Sequence, residues 1–326
     1  MNVLVTGGAG YIGSHMVHVL KDKNIKVTVI DNLSTGNPSI LPDNTRILNY
    51  NVGNIEAVTQ LMKKEKFDAV IHFAASVVVP ESVKNPLKYY LNNTKETINF
   101  IKACAEARVD KFIFSSTAAV YGNPDTNVVS EDTKTNPQSP YGMSKLMSEK
   151  IIQDTFKVHS IPFVILRYFN VAGADPNGRT GQINLPASHL IRVACQTASN
   201  KRKFMPVYGD DYNTPDGTCI RDYIHIMDLI DAHIKAIDYL NSSGSSSIFN
   251  CGYGHGFSVL EVIEAIKKVS GNDFQVKIEK RRLGDPESLI SNNVKIKREL
   301  NWVPKFDDII KIVSDAYKWE LKLKNI

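Results

Sequence analysis

V3-L-V-T-G-G-A-G-Y-I-G13 is the stretch that decides the fold. A short apolar run opens it, glycines follow at 7, 8, 10 and 13, and helical apolar spacing begins at once. Gly7, Gly10 and Gly13 stand three apart, and Gly8, Gly10 and Gly13 also match G-x-G-x-x-G. Glycines at these places let a pyrophosphate approach the backbone and a helix pack close on a strand, while the helix amino terminus offers free N–H groups. The spacing alone is weak. Its context is the required one: strand before, helix after, and an acid, Asp31, closing the second strand. Gly7, Gly10, Tyr11, Ile12 and Gly13 are therefore read as a dinucleotide-binding turn.

Asp31 lies 18 residues beyond Gly13. A carboxylate there accepts hydrogen bonds from an adenosine ribose and repels a 2'-phosphate, which favours NAD over NADP. Asn32 can share that contact, and the plain alternative is a turn-forming aspartate in D31-N-L33.

Working outward, short β-branched runs recur at V3–V5, V27–I30, R46–Y50, A69–F73, K111–S115, F163–L166 and S247–N250. They alternate with amphipathic stretches at 15–23, 55–64 and 94–107, the signature of βαβ units. The fold class is α/β, a doubly wound parallel (Rossmann) sheet with a smaller carboxyl-terminal substrate lobe. Residues 1–172 are expected to form the NAD-binding domain, rejoined by about 225–250. The remaining segments of 173–326, where G173–G178 and D210–G217 are turn-rich, form the lobe.

The composition suits that class. The 326 residues are 43% hydrophobic and 22% charged, and the net charge of +5 is scattered without basic runs, which disfavours nucleic-acid binding. Cys104, Cys195, Cys219 and Cys251 lie far apart without metal-ligand spacing, so no metal is expected and reduced thiols in a cytoplasmic protein are. No leader-like segment precedes Val3, and no run reaches the ~18 apolar residues of a membrane span. The serine-rich patch S242–S247 reads as a loop.

The chemistry is read from S139-P-Y-G-M-S-K145, with F114-S-S-T-A-A-V-Y-G122 before it. On a helix, Tyr141 and Lys145 share a face one turn apart. An adjacent ammonium favours the phenolate and brings a tyrosine towards use as a base. Any exposed helix can carry that pair by chance. Beside an NAD site, with Ser115, Ser116 and Thr117 delivered to the carboxyl edge of the sheet, it becomes a proton-handling group. Tyr141 is the expected base, Lys145 its modulator and a ligand of the nicotinamide ribose, and Thr117 a partner for the sugar hydroxyl.

At this point the chain resembles the extended short-chain dehydrogenase/reductase family and, within it, the branch that epimerises UDP-hexoses at C4. The likeness rests on G7–H15, D31-N-L33, H72-F-A-A75, P86–N93, F114–G122, P140–K145, R167-Y-F-N-V-A-G-A174, R221-D-Y-I-H225 and R281-R-L-G-D285. It implies a homodimer through 94–107 and 141–158. It also implies cofactor contacts from Asn51, Val52, Phe73, Ala74, Ala75, Asn92, Ser115, Tyr168 and Phe169. Nucleotide-sugar contacts are implied at Asn170, His189, Leu190, Val207, Arg221, Tyr223, Arg282 and Asp285, with His189 where many relatives have asparagine. Arginine forks suit phosphate, and Asp285 suits a ribose. Leu289 falls where the resemblance places a residue lining the sugar pocket, which points to UDP-galactose and UDP-glucose first and N-acetylated forms in addition.

Two departures stand out. S76-V-V-V-P80 lacks the lysine some members carry near the pyrophosphate, which implies a weaker grip on the cofactor. Asn51-Val52 replaces an Asp-hydrophobic pair, a change asparagine can accommodate. After Thr117 come Ala118 and Ala119, which cannot move protons, so sugar-nucleotide dehydration and decarboxylation are disfavoured. A UDP-glucuronate epimerase and a non-catalytic NAD/UDP-sugar sensor remain as other readings.

Overall fold

The computed structural model describes residues 1–183, 187–242, 244–282 and 284–323. Ser243, in the serine patch, and Leu283, in R281–D285, lie outside them.

Seven strands form one parallel sheet. From one edge they run Ser247–Cys251, Phe163–Tyr168, Phe112–Ser115, Ala69–His72, Asn2–Thr6, Lys26–Ile30 and Arg46–Leu48. Every neighbouring pair is parallel, with Val3 beside both Val27 and Ala69. The inner strands are buried on both faces, which explains their continuous β-branched and aromatic character. One core lies on each face, around Met16, Leu20 and Leu229 on one side and Phe100, Phe112 and Phe156 on the other.

The first strand pairs on one side with the second and on the other with Ala69–His72, so the chain reverses its direction of sheet growth there. Ligands of open α/β sheets bind in the crevice at such a reversal, beyond the carboxyl ends of the strands. The glycine turn sits in that crevice.

Beyond Tyr168 the strands shorten. Asn170–Ala172 pairs with Tyr223–His225, and Met205–Tyr208 pairs with Val276–Glu279. A four-stranded sheet runs Phe257–Ser258, Ile220–Arg221, Ser288–Ser291 and Val128–Val129. Val128–Val129 comes from the loop that follows Thr117, so this loop reaches across to pair with Ser288–Ser291. Among the described residues no helix is long and apolar enough to cross a membrane, and no group of three His, Cys, Asp or Glu could hold a metal ion.

Candidate active site

The glycine turn is built by close approach. Gly7 has φ +66°, and a Cβ on it would stand 2.7 Å from the Ala74 nitrogen. A Cβ on Gly13 would lie 2.2 Å from the Gly7 carbonyl oxygen and 2.7 Å from Gly8 Cα. Gly10 caps the helix Tyr11–Asp22 with no side chain of its own, so N–H groups at that end face the crevice. Gly13→Ala is expected to cost about 1–3 kcal/mol through overpacking, read as a lower urea midpoint with the slope unchanged.

Asp31 is buried, and its two oxygens accept the Ala9 and Leu33 N–H groups at 2.9 and 2.8 Å. Each oxygen keeps a lone pair for a ribose hydroxyl. Gly36 closes over it: a Cβ there would come within 2.9 Å of the carboxylate. A crevice of bare backbone with a covered carboxylate fits NAD and has no provision for a 2'-phosphate. Asn32 is exposed and caps its own turn through Ser34. Asn51 accepts Gly53 N–H at 2.7 Å, while Val52 is core. Phe73 packs on His233, and the Ala74 N–H reaches Thr6 Oγ1 at 3.3 Å. Ala75 is half-buried.

Asn92 sits in a π-helical turn, Tyr90–Lys95, and donates to Ser76 Oγ at 3.1 Å. Asn93 accepts the Ser76 N–H at 2.7 Å. Such turns concentrate at functional sites, and this one ties down the segment that lacks the lysine. Val77 in that segment is exposed.

The helix Pro140–His159 starts at Ser139, whose Oγ accepts the Gly142 N–H at 3.2 Å, with Pro140 in the first turn. Tyr141 thus lies in the first turn, where the positive helix end favours an anion. Three consecutive residues of the neighbouring strand end meet this helix. Thr117 hydrogen-bonds Tyr141, Ser115 O accepts Lys145 Nζ at 2.8 Å, and Ser116 Oγ donates to Glu149. Tyr168, on the next strand, contacts the Ser115 hydroxyl.

Burial raises the Tyr141 phenol above its ordinary value, and the Thr117 hydrogen bond pulls it part of the way back. Burial brings Lys145 down to about 7, with the Glu149 carboxylate opposing the fall. Its Nζ lies 4.9 Å from the Phe114 ring centre. The expectation that Lys145 sets Tyr141 low thus meets a competing effect: desolvation of the phenolate dominates.

The substrate side is adjacent. Leu289 stands in register beside Arg221 and packs with Ala118 and Phe169 one residue beyond Thr117. Asn170 donates to Asp222 O at 3.1 Å and is in register with the buried Tyr223. Val207 is core, so its backbone is what it can offer a ligand. The Arg282 guanidinium lies 3.8 Å from the centre of the Tyr208 ring. Asp285 is half-buried, with its N–H on Arg282 O at 3.5 Å. His189 precedes the helix Leu190–Ala198 and bonds Gln182 at 3.2 Å. The described hydrogen bonds do not join His189, Leu190 or Asp285 to the Tyr141 group.

Sequence reasoning missed Tyr208, Ser76 and Asp222. Tyr208 lines an open groove of about 460 Å³ with Arg202, Lys203, Phe204, Pro206 and Glu279. Asp222 is buried and accepts from Tyr253 N, Gly254 N and Ser291 at 2.6–3.1 Å, joining the lobe to the main sheet. The period-two spacing of Phe204, Pro206 and Tyr208, which share the groove, was the one available signal for Tyr208.

A sequence model described as the NAD dependent epimerase/dehydratase family matches residues 3–252. The chain is 49% identical to a UDP-glucose 4-epimerase of Azospirillum brasilense over 322 residues, 99% of this chain and 92% of that protein. The UDP-Glc/GlcNAc 4-epimerase of Campylobacter jejuni superimposes with TM-score 0.86 at 48% identity, covering 98% and 99% of the two chains. The UDP-glucose 4-epimerase of Brucella ovis, solved in complex with NAD, gives TM-score 0.94 at 39% identity and 97% coverage of each.

Proposed function

The chain belongs to the NAD dependent epimerase/dehydratase family, and from that membership and its site we infer an isomerase that interconverts UDP-hexoses at C4 through a transient 4-keto sugar. The observation that carries this reading is the clasp of Ser115, Ser116 and Thr117 on the helix face of Tyr141 and Lys145, at the sheet edge that also holds the glycine turn.

NAD, held by Gly7, Gly10, Gly13, Asp31 and the Phe73–Ala75 edge, supplies the reversible two-electron chemistry at C4. The protein handles the proton. Oxidation of the carbinol releases the O4 proton as the C4–O4 double bond forms, and Tyr141 as phenolate takes it. When the sugar has turned and C4 is reduced on its other face, Tyr141 returns the proton to O4, so the cycle consumes nothing. Thr117 donates to the phenolate and shares the sugar hydroxyl, while Lys145, when protonated, offsets the burial that opposes the anion. Ala118 and Ala119 add no acid or base, so the 4-keto sugar has no route to elimination.

Further parts of the reading concern binding. Residues 1–172 with 225–250 hold NAD, and the rest binds the nucleotide. Arg221 and Arg282 suit the diphosphate, Asn170, Tyr223 and Asp285 suit the uridine side, and the Tyr208 ring suits a flat base. Exposed Ile98, Met147 and Val158 on the helices 96–107 and 140–159, with exposed Leu87 and Leu91 just before the first of them, support a homodimer through this face. Four unpaired, buried cysteines suit the cytoplasm.

Incubation of the purified protein with UDP-galactose, and separately with UDP-N-acetylgalactosamine, is expected to give both C4 epimers. Leucine at 289 leaves more room than a tyrosine, and pocket differences of this size are worth only about 1–3 kcal/mol, so the acetamido sugar should be slower rather than excluded. No interconversion of any UDP-hexose, with or without NAD, would sink the reading.

A further inference from the structure

Glu149 is two turns beyond Tyr141 and one beyond Lys145, on the same helix, and its side chain is fully buried. Such a carboxylate needs partners, and it has them. Arg167 Nε lies 3.0 and 3.2 Å from its two oxygens, Arg167 Nη2 lies 2.7 Å from one, and the Ser116 hydroxyl donates to the other. Arg167 is fixed in turn. Its Nη1 reaches Tyr121 OH at 3.1 Å, and that hydroxyl donates to Asn250 Oδ1 at 2.6 Å. The guanidinium approaches Glu149 from the strand Phe163–Tyr168, while Lys145 stands one turn before Glu149 on its own helix.

We propose that Glu149, clamped by Arg167 and Ser116, is a positioning residue for the Tyr141 and Lys145 pair: it locks the helix face in register on the strand end and presents the anionic charge that Lys145 faces. Replacing a buried ion pair by apolar side chains is often neutral or stabilising, so stability alone is a poor reason for this one. A role in the site accounts for its place at the next turn of the same face.

The other groups around Lys145 do not supply that charge. Burial raises the phenols of both Tyr141 on its own helix and Tyr168 on the adjacent strand, so Tyr168 stays neutral and Tyr141 is an anion only where a protonated Lys145 already offsets that burial. His72, on the strand beyond, is pushed down to about 3 by burial and then by Lys145, and it stays uncharged between the Thr6 and Thr97 hydroxyls. Tyr89 packs edge-on against Tyr141 and is also neutral. Arg167 carries a positive charge, and Glu149 stands between it and the next turn. Loss of the Glu149 carboxylate therefore leaves Lys145 with burial and no anion.

For its kinetic consequence the assignment rests on the epimerase reading, so the test has two readouts. The Lys145 titration is followed by NMR of ε-¹³C-lysine in the NAD-loaded protein, its signal identified by its absence from Lys145→Arg. The pH profile of kcat/KM for UDP-galactose is recorded alongside. Glu149→Gln keeps the shape but leaves Arg167 unpaired, so Glu149→Gln/Arg167→Gln, which removes both charges, guards against misfolding. In Glu149→Gln the Lys145 midpoint and the alkaline limb of the profile are expected to fall by roughly one pH unit, and in the double variant, which also removes the Arg167 cation, in the same direction but by less; Glu149→Asp should restore most of the shift. An unmoved Lys145 midpoint in both variants overturns the proposal, even if activity drops. A wild-type protein without epimerase activity defeats the functional reading instead, while the NMR titration still decides the role of Glu149.

Discussion

Tyr141→Phe is expected to lower kcat for UDP-galactose by roughly 10²–10⁴-fold, the range a positioned acid–base group contributes, while NAD content and UDP affinity stay near those of the wild type. The side chain is buried and meets the Tyr89 ring edge-on at 6.4 Å between centres, a packing that phenylalanine repeats. What disappears is one hydroxyl and its hydrogen bond to Thr117. That bond is worth only about 0.5–1.5 kcal/mol to the fold, so melting should shift by a few degrees at most. The chemical step loses far more, because no other group at the strand end can take the O4 proton: Ser115 is engaged with Tyr168, and Lys145 donates to a backbone carbonyl. A rate within a few-fold of the wild type, with bound NAD retained, would remove Tyr141 from its role. Thr117→Val should fall between the two, since it withdraws a donor from the phenolate but leaves the base.

The features legible in the sequence are those whose constraint is local. Gly13 announces itself because a Cβ there would strike the Gly7 and Gly8 backbone only a few residues away, and Gly7 because the turn after the first strand holds it at positive φ. The central strands are legible because burial on both faces demands unbroken apolar runs. Tyr141 and Lys145 are legible because a helix places i and i+4 together, and Ser139-Pro140 marks where it starts. Glu149 is a different case. At the next turn of a helix it looks like any solvated charge, and only Arg167, 18 residues on and across a strand, makes it interior. Asp222 hides in the same way between Arg221 and Tyr223, because its partners at 253, 254 and 291 come from two distant segments. The lobe strands hold two to four residues each, too few for a period to show, and their pairing is decided by long loops. The effect of burial on Tyr141 was also out of reach: spacing brings the ammonium near, but only packing tells how dry the phenol is.

Acid is expected to unfold this protein well before its carboxylates titrate. His15, His72 and His233 are all buried, and burial is the first cause in each case, holding them down to about 3, about 3 and about 4. The Nε2 atoms of His15 and His233 have no hydrogen-bond partner to receive a proton. In the unfolded chain the same rings protonate near 6.5. Between about pH 6 and pH 4 the unfolded state therefore binds up to three protons that the folded state refuses, and stability falls as pH falls. Each such proton is worth about 1.4 kcal/mol per pH unit, so the three together approach ~4 kcal/mol per unit. Against a total stability of about 5–15 kcal/mol, two units of acidification suffice to bring the fold close to its midpoint at room temperature. Carboxylates enter later and with mixed sign: Asp222 is raised by burial, and its protonation favours the folded state, whereas Asp315, held low by His225 and Lys311 against burial, acts the other way. Urea midpoints at pH 7, 6, 5.5 and 5 measure the slope directly. His233→Gln should remove about a third of it, because its Nδ1 contact with Leu229 O at 2.8 Å is one that a glutamine amide can make. A midpoint that stays level from pH 7 to pH 5 would mean that these rings take up protons in the folded state, which their dry surroundings forbid.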